Sequence, residues 1–122
     1  MSFPAVQIVT VTVHVSVAGN DASFTYDPSA QIEVLPHTQC LILLVLDPAS
    51  QAIFSEEPII FIDPPEPPNI TVMRDTDTLC TILDYNDDKP GEAESFKGLI
   101  SVQIDCMTFT SPDPTIINLK PS

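Results

Sequence analysis

The pattern of apolar and polar positions along the chain is that of strands. Residues 6–17 alternate, with Val9, Val11, Val13, Val15 and Val17 on one side and Thr10, Thr12, His14 and Ser16 on the other, which predicts a strand with one wet face. The turn residues "GNDA" at 19–22 follow. "SFTY" and "QIEVLP" then read as shorter strands separated by Asp27-Pro28, in a hairpin-like arrangement. "TQCLILLVLDP" at 38–48 is apolar almost throughout, which fits a central strand covered on both faces and stopped by Asp47-Pro48.

The same grammar recurs downstream. A short apolar run at 59–62 ends in a proline-rich connector at 64–68, expected to be extended and exposed. "NITVMRD" and "TLCTILDY" form two strands around "DTDT". The polar stretch at 84–98 reads as a loop or lid, residues 99–110 alternate as one further strand, and "TIINL" at 115–119 is expected as a final edge strand. No segment holds helical periodicity for three turns. About eight short strands punctuated by proline turns predict an all-β, antiparallel two-sheet sandwich of jelly-roll or immunoglobulin-like type.

Composition narrows this further. At 122 residues the chain supports one domain with a real core, 1–122. The 13 prolines set against 3 glycines, with 43% hydrophobic residues, describe a folded protein with rigid turns, not a disordered tail. Arg74, Lys89, Lys97 and Lys120 stand against 17 acidic residues, a formal charge of −13, so nucleic-acid backbones and anionic membranes repel it and neither is expected as a partner. The longest apolar run, "CLILLVL" at 40–46, is far shorter than the ~20 residues of a membrane-spanning helix. The N-terminal stretch lacks a basic region and a continuous apolar segment, so a cytoplasmic location is expected. Cys40, Cys80 and Cys106 are odd in number, widely spaced and in apolar contexts, which reads as buried free thiols.

Several candidate chemistries fail on spacing. Asp84, Asn86 and Asp88 occupy the first, third and fifth places of a calcium loop, but Lys89 stands where glycine is needed and Ser95 where a bidentate glutamate is needed. No metal or cofactor is expected. His14 and His37 are isolated from each other and from any nucleophile motif.

What remains is a labile bond. Four Asp-Pro dipeptides occur, at 27–28, 47–48, 63–64 and 113–114. An Asp-Pro link is the weakest ordinary peptide bond: the aspartic carboxyl can attack its own carbonyl, and the proline nitrogen accepts a proton unusually well. The first three dipeptides close strand-like runs and act as turns. The fourth is flanked by Pro112 as well as Pro114, which restricts the backbone around Asp113 and holds its side chain near its own carbonyl. Cleavage there needs a donor for the developing oxyanion and exclusion of water. Tyr26, beside a turn, and Lys97, at the end of the acidic stretch, are the candidate donors or orienting groups.

"LDPAS" at 46–50 and "DPPEPP" at 63–68, on an acidic all-β chain of this length, resemble the small bacterial DP-EP family across nearly the whole chain. Its members are β-sandwich proteins, some described as aspartic-type peptidases that cut themselves at an Asp-Pro bond near the C-terminus. The resemblance implies that "SPDP", Ser111, Pro112, Asp113 and Pro114, is the self-cleaving segment. Asp113 would then be the reacting carboxylate and Pro114 the new N-terminus, with Tyr26 and Lys97 as the supporting tyrosine and lysine. The expected function is therefore an autoproteolytic peptidase whose substrate is its own C-terminal segment, residues 111–122. The alternative is a non-catalytic structural or interaction module that forms homo-oligomers through sheet edges.

Overall fold

The computed structural model describes residues 5–62, 67, 69–86 and 94–120. The expected connector at 64–68 and the middle of the expected acidic loop, 87–93, fall almost wholly outside the described residues. Ten strands and one short 3-10 turn (Pro48–Ser50) form two packed sheets: β1 (Ala5–Ala18), β2 (Asp21–Asp27), β3 (Gln31–Val34), β4 (Thr38–Leu46), β5 (Ile53–Ile62), β6 (Ile70–Arg74), β7 (Leu79–Asn86), β8 (Glu94–Ile104), β9 (Met107–Thr110) and β10 (Thr115–Asn118). The first sheet has the order β2-β1-β4-β7-β6. The second has the order β3-β10-β8-β5, with β9 paired to β8. The chain is thus an all-β sandwich. Its sheets are mixed: the β1–β4 and β10–β3 pairs run parallel, and the other described pairs antiparallel. None of the described helical segments is long and apolar enough to cross a membrane.

The core follows the alternation. Val11, Val13 and Val15 of β1 and Cys40, Ile42, Leu44 and Leu46 of β4 point inward, against Phe96, Ile100 and Val102 of β8 and Ile116 of β10. Burying each such aliphatic side chain contributes roughly 1.5–3 kcal/mol. The expected cover on both faces of β4 is not found: its outward residues, Leu41, Leu43 and Val45, are half-buried, because flanking strands cover their sides while no strand among the described residues lies over them.

One two-residue turn matches its sequence and another does not. Gly19 (φ 66°) opens the two-residue β1–β2 turn, a left-handed position that glycine adopts at no steric cost. The expected single strand at 99–110 is instead a hairpin, folded at Asp105 (φ 50°) and Cys106 (φ 65°). That turn exposes Cys106, whereas Cys40 and Cys80 are buried as expected. The alternation runs unbroken through the turn, because a two-residue hairpin preserves the period of two on both strands.

The last segment departs furthest from expectation. Residues 115–118 are not an edge strand: β10 lies inside its sheet, between parallel β3 and antiparallel β8, with Ile116 and Asn118 buried. The expected calcium-loop residues Asp84 and Asn86 are also not in a loop. Both are fully buried on β7, on the face toward β10. There Asn86 donates to the carbonyls of Val34, Leu35 and Leu119, Asn118 donates to Asp84, and Lys120 donates to Asn86. This polar seam holds the C-terminal strand to the opposite sheet.

Candidate functional site

The segment 111–115 crosses from β9 to β10 at one end of the sandwich, and the backbone ladder fixes it on both sides. Ser111 N donates to Ile100 O (2.8 Å), Gly98 N donates to Pro114 O (3.0 Å), and Thr115 N donates to Ala30 O (2.9 Å). Gly98 sits in a tight place: a Cβ there would stand 3.2 Å from Ile59 Cγ2 and 3.2 Å from Phe61 Cε1, so those side chains would have to give by a few tenths of an ångström. Both Asp113-Pro114 and Asp27-Pro28 are cis.

The Asp113 carbonyl oxygen is the focus of the site. Tyr26 Oη donates to it at 3.2 Å, and Ser111 Oγ donates to it in a short hydrogen bond. The Ser111 proton is directed there because its oxygen already accepts from Ile100 N at 2.9 Å. Tyr26 comes from the other sheet. It sits opposite inward-facing Val13 and packs half-buried against the core, so its ring spans the sandwich and only its hydroxyl meets the segment. Burial pushes the Tyr26 hydroxyl above its usual range, the Ser111 hydrogen bond pulls the other way, and the nearby Asp113 charge adds to the rise. Tyr26 therefore stays a proton donor throughout the neutral range.

The Asp113 carboxylate faces the other way. Its Oδ1 accepts from Thr115 Oγ1 at 3.3 Å and lies 3.8 Å from Lys97 Nζ, which also donates to Pro112 O at 3.3 Å. Lys97 lies in β8 opposite Thr115 and projects from the outer face of the sheet. Beside it, an open cleft of about 530 Å³ is lined by Ser29, Gln31, Ser95, Asp113, Thr115 and Ile117, so water reaches the carboxylate from that side and the expected exclusion of water is not met there.

The structure brings Tyr26, Lys97, Ser111, Pro112, Asp113 and Pro114 together, although Tyr26 and Pro114 stand 88 residues apart in the sequence. Sequence reasoning treated Ser111 as a flanking residue, yet its hydroxyl is one of two on the Asp113 carbonyl. The available signal was its place at the end of a strand, two residues before the aspartate, where a serine side chain turns back onto nearby backbone. The roles of Gly98 and Thr115 were also missed, because both depend on the register of β8 against β10. No protein-family model matches the chain, and no curated protein matches it in sequence.

Proposed function

We propose that the protein hydrolyses its own Asp113-Pro114 bond, as the DP-EP resemblance implies. Asp113 is the reacting acid, Tyr26 and Ser111 are the oxyanion donors, and Lys97 orients the carboxyl. The observation that carries this reading is the pair of hydroxyl donors on the one carbonyl oxygen that must bear negative charge when an acyl group is attacked. Neither donor is needed for ordinary backbone pairing there.

The chemistry is an intramolecular acyl transfer followed by hydrolysis. The Asp113 carboxyl oxygen attacks its own main-chain carbonyl carbon, and the oxyanion is held by Tyr26 and Ser111. The carboxyl proton passes to the Pro114 nitrogen, the C–N bond breaks, and a five-membered cyclic anhydride remains. Water entering from the cleft opens the anhydride, leaving Asp113 with two carboxyls and Pro114 with a free secondary amine. One water is consumed and no other reactant is needed.

Cleavage and release are separate steps, since β10 is hydrogen-bonded on both sides and tied to β7 through Asn86 and Asp84. Intact mass spectrometry under denaturing conditions, on protein aged for days at pH 5 and pH 7, tests the reading. A fragment beginning at Pro114 is expected, absent in Asp113→Ala. A single unchanged mass at both pH values refutes the reading and leaves the non-catalytic module in its place.

A further inference from the structure

Opposite the cleavage segment, the outer face of the β2-β1-β4-β7-β6 sheet lacks charge at its centre. Register places Ile8 of β1, Leu41 of β4 and Leu83 of β7 in one row across the sheet, with Leu43 of β4 flanked by Thr10 of β1 and Thr81 of β7 in the next. Val6, Ile8, Met73 and Tyr85, four of the exposed large apolar side chains, share this face; Ile8 is 64% exposed. Among the described residues the carboxylates of this face lie at its margins: Asp27 opposite Thr12 and Asp21 opposite Ala18 along β2, Asp47 bonded to the outward His14 at one end, and Asp75, bonded to the Thr81 hydroxyl, on the other side. The outer face of the second sheet, by contrast, carries Glu33 and Lys97.

We infer that this face packs against the same face of a second copy of the chain, forming a two-fold dimer of sandwiches. The charge distribution selects the occupant. A basic partner would be drawn to the carboxylate-rich remainder of a −13 chain, whereas two such chains can approach closely only through a patch that carries no charge. Size sets the strength: β1, β4 and β7 over seven residues and β6 over its five, with strands about 4.8 Å apart and about 3.3 Å per residue, give a plane of about 400 Å². That is about half of the ~800 Å² per partner of a standard stable interface, the size of a weak, concentration-dependent dimer. The alternation of Leu and Thr rows gives each copy ridges and grooves for face-to-face sheet packing at about 10 Å. The acidic margin explains why association stops at this patch and does not spread. The cleavage segment lies on the far side, so the inference holds whether or not Asp113-Pro114 is cut.

Sedimentation equilibrium of the full chain tests it. A dimer is expected at about 100 µM, and association should tighten as salt rises from roughly 0.05 M to 0.5 M, because screening relieves the repulsion between the two acidic bodies. Ile8→Lys and Thr10→Lys, both at outward positions whose folding is checked by circular dichroism, should each weaken the dimer about tenfold or more. Ile60→Lys, exposed on the other sheet, should leave it at wild-type strength. A monomer at both salt concentrations overturns the inference, as does a dimer indifferent to Ile8→Lys and Thr10→Lys or weakened equally by Ile60→Lys.

Discussion

Asp47-Pro48 and Asp113-Pro114 are the same dipeptide in two settings, and the setting decides what the carboxyl can do. At Asp47 both carboxylate oxygens are occupied: Oδ1 accepts from Ala49 N at 3.1 Å and Oδ2 meets His14 Nδ1 at 2.7 Å. Its carbonyl accepts from Ser50 N, an ordinary turn bond, and its own N–H donates to Val13 O. The Ala49 N–H, followed by His14, holds the Asp47 carboxyl below its usual range, so it is ionised and committed to capping the turn. At Asp113 the carbonyl instead receives two hydroxyls, and the carboxylate has one weak hydroxyl contact and a lysine at 3.8 Å. One aspartate is a finished turn; the other has two hydroxyls on its carbonyl and a carboxylate left beside an open cleft.

The largest effects expected from this contrast are on the cut itself. Aged wild-type protein should yield a fragment starting at Pro114 and none starting at Pro48. Removing the donors one at a time sharpens the point: Ser111→Ala and Tyr26→Phe should each slow cleavage by about 10²–10³, the ordinary cost of losing one oxyanion donor. The measured quantity is the first-order rate of fragment appearance by intact mass. A rate unchanged in both variants would mean that the hydroxyls merely brace the turn, as the Ala49 amide does at Asp47.

Much of this was legible in the chain and some was not, for physical reasons. The period-two runs placed Val11, Val13 and Val15 in the core, and the proline-flanked "SPDP" singled out the segment on whose Asp113 carbonyl two hydroxyls converge, because both signals are local. Tyr26 and Lys97 could be named as candidate donors, but nothing local says that β2 reaches across the sandwich. Parallel pairing of β1 with β4 and of β10 with β3 leaves no mark in alternation, which reports burial and not strand direction. The same blindness made β10 look like an edge. An interior strand of four residues, Thr115–Asn118, with a polar inward Asn118 reads as peripheral until Asp84 is found waiting for it.

Asp84 extends the comparison to a third aspartate, one that is buried without being committed. It is fully buried, Asn118 donates to one of its oxygens, and the other has no partner among the described residues. Burial pushes its carboxyl up to about 6, against the smaller opposing pull of Asn118 and Lys120. Since the folded value lies above the unfolded one, the protonated form is the one the fold favours. That stability is complete below about 3.8 and is lost as pH rises through about 6. The unfolding stability of the wild type, followed by thermal melts, should fall between pH 5 and pH 7.5 by an amount on the order of 1 kcal/mol, and Asp84→Asn should flatten that fall. An unchanged slope in Asp84→Asn would show that another group carries it.

The smallest effect belongs to the committed aspartate and has the opposite sign. Because Asp47 is held below its usual range, its contribution is present above the unfolded value near 3.8 and is lost as pH falls through the lower folded value. Asp47→Asn keeps the size of the side chain and a carbonyl for the Ala49 amide, but gives up the charge that His14 and the turn amide prefer. Its thermal midpoint should lie slightly below that of wild type at pH 5, and the gap should close as the pH drops below about 3.8, whereas the gap produced by Asp84→Asn should open toward alkaline pH. Its rate of cutting at Asp113-Pro114 should match the wild type, because the turn at 47–50 and the segment at 111–115 share no contact among the described hydrogen bonds. Slower cutting in Asp47→Asn would join two regions that the hydrogen-bond pattern keeps apart, and the contrast between the two aspartates would no longer serve to predict cutting at one bond and not at the other.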